Sequence, residues 1–92
     1  MAFSACGLGF AAYLLDAFSK AGQALGFSGE DSDKITSMLF SNAIDRGCFK
    51  DTVEAVATKG GTTEAGINYM KNENIDDIIK NAMKVAYEKV RN

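Results

Sequence analysis

Val56-Ala57-Thr58-Lys59-Gly60-Gly61-Thr62-Thr63-Glu64-Ala65-Gly66-Ile67 ends one helical pattern and starts the next. Gly60 and Gly61 accept backbone angles closed to other residues, so the chain can turn sharply here and bring bare amides close to a ligand. Thr62 and Thr63 offer hydroxyls as helix caps. Glu64 suits a first helical turn, whose unpaired N–H groups carry partial positive charge. A helix start of this kind can hold a carboxylate or a phosphate. The same residues also make a plain helix-loop-helix corner, with glycine as the stop and threonine as the N-cap. A P-loop fits less well, because it needs Lys directly after its last glycine and then Ser or Thr, whereas Lys59 precedes both glycines and Glu64 follows the threonines.

Outward from this corner the chain reads as helices. Phe10 to Leu25 is apolar or small except for Asp16, Ser19, Lys20 and Gln23, which recur at i, i+3, i+4 and i+7. One narrow polar stripe leaves most of the circumference apolar, so this helix, expected from Leu8 or Gly9 to Gly26, must be covered on several sides. Ala17, Ala21 and Gly22 admit another backbone closely. With only four other short elements available, the cover is expected from a second copy of the chain, making a homodimer core; burial within one monomer is the alternative. Asp16 reads as exposed on the stripe, or as a polar contact across the dimer axis.

Ser28 is the expected N-cap of a second helix with an acidic first turn through Asp33, stopped by Gly47. Its Ile35, Met38, Leu39, Phe40, Ala43 and Ile44 cover more than one face. A short third helix is expected over about Thr52 to Ala57, and a fourth from Thr63 to about Lys71 with Ala65, Tyr69 and Met70 inward. After a break at Asn72-Glu73-Asn74, the residues Ile75, Ile78, Ile79, Ala82, Ala86 and Val90 fall on one helical face. Asn74 caps that helix beside Asp76 and Asp77, and Lys84, Lys89 and Arg91 suit its C-terminal end. No stretch alternates at period two, and no linker or repeat interrupts the pattern. The fold class is therefore all-α, a small domain of about five helices over residues 1–92.

Composition narrows the function classes. Ninety-two residues form a domain near the size at which burial reaches only about 60–65%, so oligomerisation would help it. Ten Lys and Arg against twelve Asp and Glu give no electrostatic case for nucleic acid or an anionic membrane. Absence of proline leaves long helices uninterrupted, while absence of histidine removes the usual neutral-pH acid/base group and the commonest metal ligand. Cys6 and Cys48 lack metal-ligand spacing, and no metal site is expected; two buried or half-buried thiols in a reducing cytoplasm are. The apolar run from Ala5 to Leu15 has no basic flank or cleavage site, and Asp16 ends it well short of a membrane span. Asp76 and Asp77, adjacent on a helix, point apart and read as first-turn charges, and Tyr13, Tyr69 and Tyr87 read as packing residues.

Three segments carry a family resemblance. The central corner resembles the Thr-Ser-Pro-Gly-Gly-Thr-Thr-x-x-Gly-Leu segment of the C-terminal domain of pyrroline-5-carboxylate reductase, with Ala57, Thr58, Lys59 and Ile67 standing where that family has Thr, Ser, Pro and Leu. Asp16-Ala17-Phe18-Ser19-Lys20-Ala21-Gly22-Gln23-Ala24-Leu25-Gly26-Phe27 resembles the family's Glu-Ala-Leu-x-x-Ala-Gly-x-x-x-Gly-Leu helix. Cys6-Gly7-Leu8-Gly9-Phe10 stands in the place of Ser-Gly-Pro-Ala-Tyr. The similarity runs from about Ala5 to the C-terminus in the family's order.

The resemblance implies a helical domain that interlocks with its twin and completes the substrate site of an enzyme reducing a cyclic imine to proline. It implies that NADPH or NADH is held by a Rossmann domain, of which this chain shows no Gly-x-Gly-x-x-Gly after a strand; the 92 residues alone are not expected to catalyse, and are read as an excised domain or a truncated product. Carried over residue by residue, it places the substrate carboxylate on the amides of Gly61, Thr62 and Thr63 beside Gly60, with the Thr58 hydroxyl in the position of the family's serine. Thr63 is nearest the imine nitrogen and is the candidate catalytic residue. Lys59 in place of proline loosens the turn and adds a cation. The implied partners are a second copy of the chain and a small imino acid, in the cytoplasm. Two other readings are a reductase relative with altered or lost activity, and a free-standing helical interaction module.

Overall fold

Five helices follow one another in a computed structural model that describes residues 2–91, with side-chain surroundings given for Ser4 and residues 6–89. They are α1 (Ala2–Ala24), α2 (Gly29–Asp45), α3 (Phe49–Val56), α4 (Thr62–Asn72) and α5 (Ile75–Arg91). No strand occurs among the described residues, and the all-α expectation holds. The Val90 and Arg91 side chains, assigned above to the last helix's apolar face and basic end, lie outside the described side chains.

Boundaries follow the local chemistry, with four corrections. α1 starts at Ala2, six or seven residues before the expected Leu8 or Gly9. Leu8 has the N–H that a proline lacks, and Gly7 and Gly9, each open to space, lower helix propensity without blocking it. The other end closes as expected. Gly26 takes φ +109, its N–H bonds the Gln23 carbonyl at 2.9 Å, and the Phe27 N–H reaches back to the Gly22 carbonyl at 3.3 Å, a Schellman ending. Ser28 caps α2 through its hydroxyl, which accepts from the Asp31 N–H at 3.1 Å, and Gly47 at φ +95 stops that helix.

α3 then begins at Phe49, three residues early, because an extended Cys48 follows the left-handed Gly47 and serves as N-cap at once. α4 is capped by Gly61, not by a threonine. Asn74 joins α4 to α5 by its backbone: it has φ +61, its N–H bonds the Lys71 carbonyl at 3.0 Å and its carbonyl accepts from Ile78 at 3.0 Å. Asparagine tolerates the left-handed conformation better than other residues with a Cβ, so it acts here as a joint and not as the expected side-chain cap.

α1 packs between α2 and α5; α3 rests on α2 and α4 on α5. The α1–α2 contact is made of small polar groups. Ser19 and Ser32 are each 3% exposed and Thr36 4%. Ser19 Oγ donates to Asp33 Oδ1 at 2.5 Å, and Ser32 Oγ donates to the Ser19 carbonyl at 2.5 Å. Phe18 and Phe40 close the contact edge to face at 5.2 Å. Ser19 therefore leaves the expected polar stripe, because α2 covers that part of it. Asp16 and Lys20 remain on it as an exposed pair at 2.8 Å. The Asp16 hydrogen bond, reinforced by its charge, holds the Lys20 ammonium above its usual range.

Among the described residues no apolar side chain is buried. The surface is 7507 Å², against about 5,200 Å² for a folded monomer of 9.8 kDa. The radius of gyration is 15.0 Å, against about 12 Å for a compact chain of this length. α1 and α5 leave between them an apolar groove of about 640 Å³ lined by Phe10, Tyr13, Leu14, Ile78, Ile79 and Ala82. Ala65, Tyr69 and Met70, expected inward, are exposed in the single chain. Ile67 and Glu64 are the half-buried residues of α4, since that helix rests on α5 alone. Cys48, expected at least half-buried, is exposed at the α2–α3 corner, and Cys6 is half-buried.

Candidate functional site

The α3–α4 connection is a β-turn over Thr58, Lys59, Gly60 and Gly61. The Gly61 N–H donates to the Thr58 carbonyl at 2.8 Å and Gly60 takes φ +78. Positive φ confined to the third residue is the signature of a type II turn, whose second position, here Lys59, favours proline. Gly61 has extended φ −88 and ψ 175, but a Cβ there would stand 3.0 Å from the Thr58 carbonyl oxygen. Each glycine is thus favoured for a different reason, Gly60 by its backbone angle and Gly61 by the tight approach of the Thr58 carbonyl.

α4 starts directly from this turn, so Thr58, Gly60, Gly61, Thr62 and Thr63 are brought together in one turn and the first two helical positions. The four N-terminal amides of a helix lack intrahelical partners. Gly61, at the N-cap, spends its N–H inside the turn, although the resemblance assigned it to the carboxylate. The Thr62 and Thr63 N–H groups are left free of backbone partners among the bonds of this corner, and neither hydroxyl caps the helix. Thr58, Thr62 and Thr63 are all exposed. What the corner offers chemically is a pair of neighbouring N–H donors with three threonine hydroxyls nearby.

Sequence reasoning missed the part Glu64 plays. Its Oε1 accepts from the Gly60 N–H at 2.9 Å, while the Ala65 N–H donates to the Gly61 carbonyl at 3.2 Å. Glu64 is the third residue of α4 and reaches back across the N-cap, as in a capping box. The signal is an acid three residues after Gly61, masked by two threonines that themselves suit a cap.

Among the described residues no group of three or more His, Cys, Asp or Glu could hold a metal ion, and no helix is long and apolar enough to cross a membrane. With no strand among the described residues, they form no βαβ crevice of the kind that holds a dinucleotide.

Comparison with known families agrees with this architecture. A family model described as pyrroline-5-carboxylate reductase dimerisation matches residues 1–92. No curated protein and no solved structure matches the chain. Matched along its whole length and carrying five helices with an uncovered apolar face, the chain belongs to the family of pyrroline-5-carboxylate reductase dimerisation domains.

Proposed function

We propose that residues 1–92 act as one helical domain that forms a homodimer and binds the substrate carboxylate of an NAD(P)H-dependent pyrroline-5-carboxylate reductase, which reduces a cyclic imine to proline in the cytoplasm. The observation that carries this reading, beyond family membership, is the run of unspent amides that opens α4 at Thr62 and Thr63, next to a turn whose Gly60 and Gly61 N–H groups are both bonded. An anionic carboxylate there completes two orphan N–H groups at the positive end of α4. Holding the carboxylate fixes the imine carbon relative to the hydride donor, and orientation of that kind contributes much of an enzyme's rate.

In this reading the Thr58 hydroxyl borders the carboxylate, Gly60 and Gly61 shape the backbone, and Thr63 orients the imine nitrogen or relays its proton. The cofactor, NADPH or NADH, supplies the hydride when bound, and residues 1–92 contribute binding and orientation. Dimerisation is supported by the absence of any buried apolar side chain among the described residues of the single chain.

Thr63→Ala in the complete reductase is the test. Activity should fall by about tenfold or more, the usual scale for losing a proton-transfer or orienting group. Unchanged kinetics would remove Thr63 from the site.

A further inference from the structure

We infer that Glu64 is a positioning residue of the carboxylate site, clamping the glycine turn from the helix it precedes; this inference rests on the carboxylate reading above. A type II turn is held most cheaply by proline at its second position, which restricts φ before folding. That position holds Lys59, which restricts nothing. Gly60 next to it has the widest conformational freedom of any residue, so the turn would sample other states unless something outside it intervened.

The outside contact is the bond from the Gly60 N–H to Glu64 Oε1 at 2.9 Å. It ties the turn's third residue to the first turn of α4. The Gly61 N–H to Thr58 carbonyl bond, at 2.8 Å, closes the same turn from within. Together they set the direction of the peptide planes that lead into Thr62 and Thr63, whose amides carry no backbone partner. The clamp consumes the Gly60 N–H and leaves those two donors free. Glu64 also brings a negative charge to a site for an anion, and the half-buried side chain is directed back over the N-cap. Its charge therefore opposes carboxylate binding while its oxygen favours it.

Two nearly isosteric neutral substitutions separate these effects. Glu64→Gln keeps an amide oxygen acceptor, whereas Glu64→Met keeps the stem and loses the acceptor. Each would be made in the full 92-residue chain, alone and with Lys59→Pro. L-Proline would be titrated as the probe while the amide resonances of Thr62 and Thr63 are followed, and hydrogen exchange of the Gly60 amide would be measured in parallel.

With Lys59 present, Glu64→Met should bind proline about fivefold more weakly than Glu64→Gln, the effect of one ordering hydrogen bond, and should lose protection at the Gly60 amide. With Lys59→Pro, the difference between the two variants should shrink to less than twofold. Equal binding by Gln and Met variants in the Lys59 background overturns the clamp, as does a difference that proline at 59 leaves intact. Failure of the carboxylate reading looks different: proline then fails to shift the Thr62 and Thr63 amides of the unsubstituted chain, and the inference falls with it.

Discussion

Gly60 and Lys59 show how much of the corner a single residue decides. At φ +78, Gly60 occupies a conformation that costs other L-residues about 1–2 kcal/mol, so Gly60→Ala should lower the unfolding free energy by about that amount. Lys59→Pro should act in the opposite sense. The Lys59 N–H takes part in none of the turn's bonds, and proline suits the second position, so stability should rise by about 0.4–1 kcal/mol. Denaturant unfolding at one fixed protomer concentration reads both, since dimer stability depends on concentration. The glycine turn was legible in the sequence because glycine pairs announce it. Its cap was not, because threonine, the stronger N-cap by preference, stands one residue too late once the turn's hydrogen bond places Gly61 at the N-cap.

At the scale of helices, α1 and α2 meet through Gly22, Ser19, Ser32 and Thr36. A Cβ on Gly22 would collide with Ser32 Oγ, which is held in its bond to the Ser19 carbonyl. Gly22→Ala therefore gains about 1 kcal/mol of helix propensity and loses a similar amount by breaking that bond. In a Ser32→Ala background only the gain remains. A double-mutant cycle by urea unfolding should show Gly22→Ala near neutral alone and stabilising by about 1 kcal/mol with Ser32→Ala. Equal effects in both backgrounds would mean that Ser32 does not oppose the new methyl group.

The sequence identified Gly22 as a place of close approach but assigned the approaching backbone to a second copy. Periodicity reports which side of a helix is small or apolar, and not which neighbour takes it. The same limit explains Ser19, which belongs to a polar stripe by spacing and to the α1–α2 contact in space. Helix order and type were legible because stops such as Gly26 and Gly47 and the Ser28 cap are local signals. The start of α1 was not, since nothing before Leu8 announces a cap.

For the whole molecule the decisive quantity is uncovered surface. The single chain exposes about 2,300 Å² more than a folded monomer of its mass, an excess of the size that obligate homodimers bury. Ile78 is 62% exposed and borders the α1–α5 groove. On a free surface, Ile78→Asp would change stability by no more than about 0.5 kcal/mol. In a dimer core it buries an unpaired carboxylate, so the dimer should dissociate at a concentration at least tenfold higher, or about 1.4 kcal/mol. Sedimentation equilibrium of the variant beside the parent chain separates the two.

The same excess makes the mass of the unsubstituted chain the most direct measurement, by light scattering across a dilution series. Twice the 9.8 kDa chain mass, held down to low micromolar concentration, is the result expected of two interlocked copies. A well-folded species of single-chain mass over that range would contradict it, because α1 and α5 would then keep their apolar faces in water.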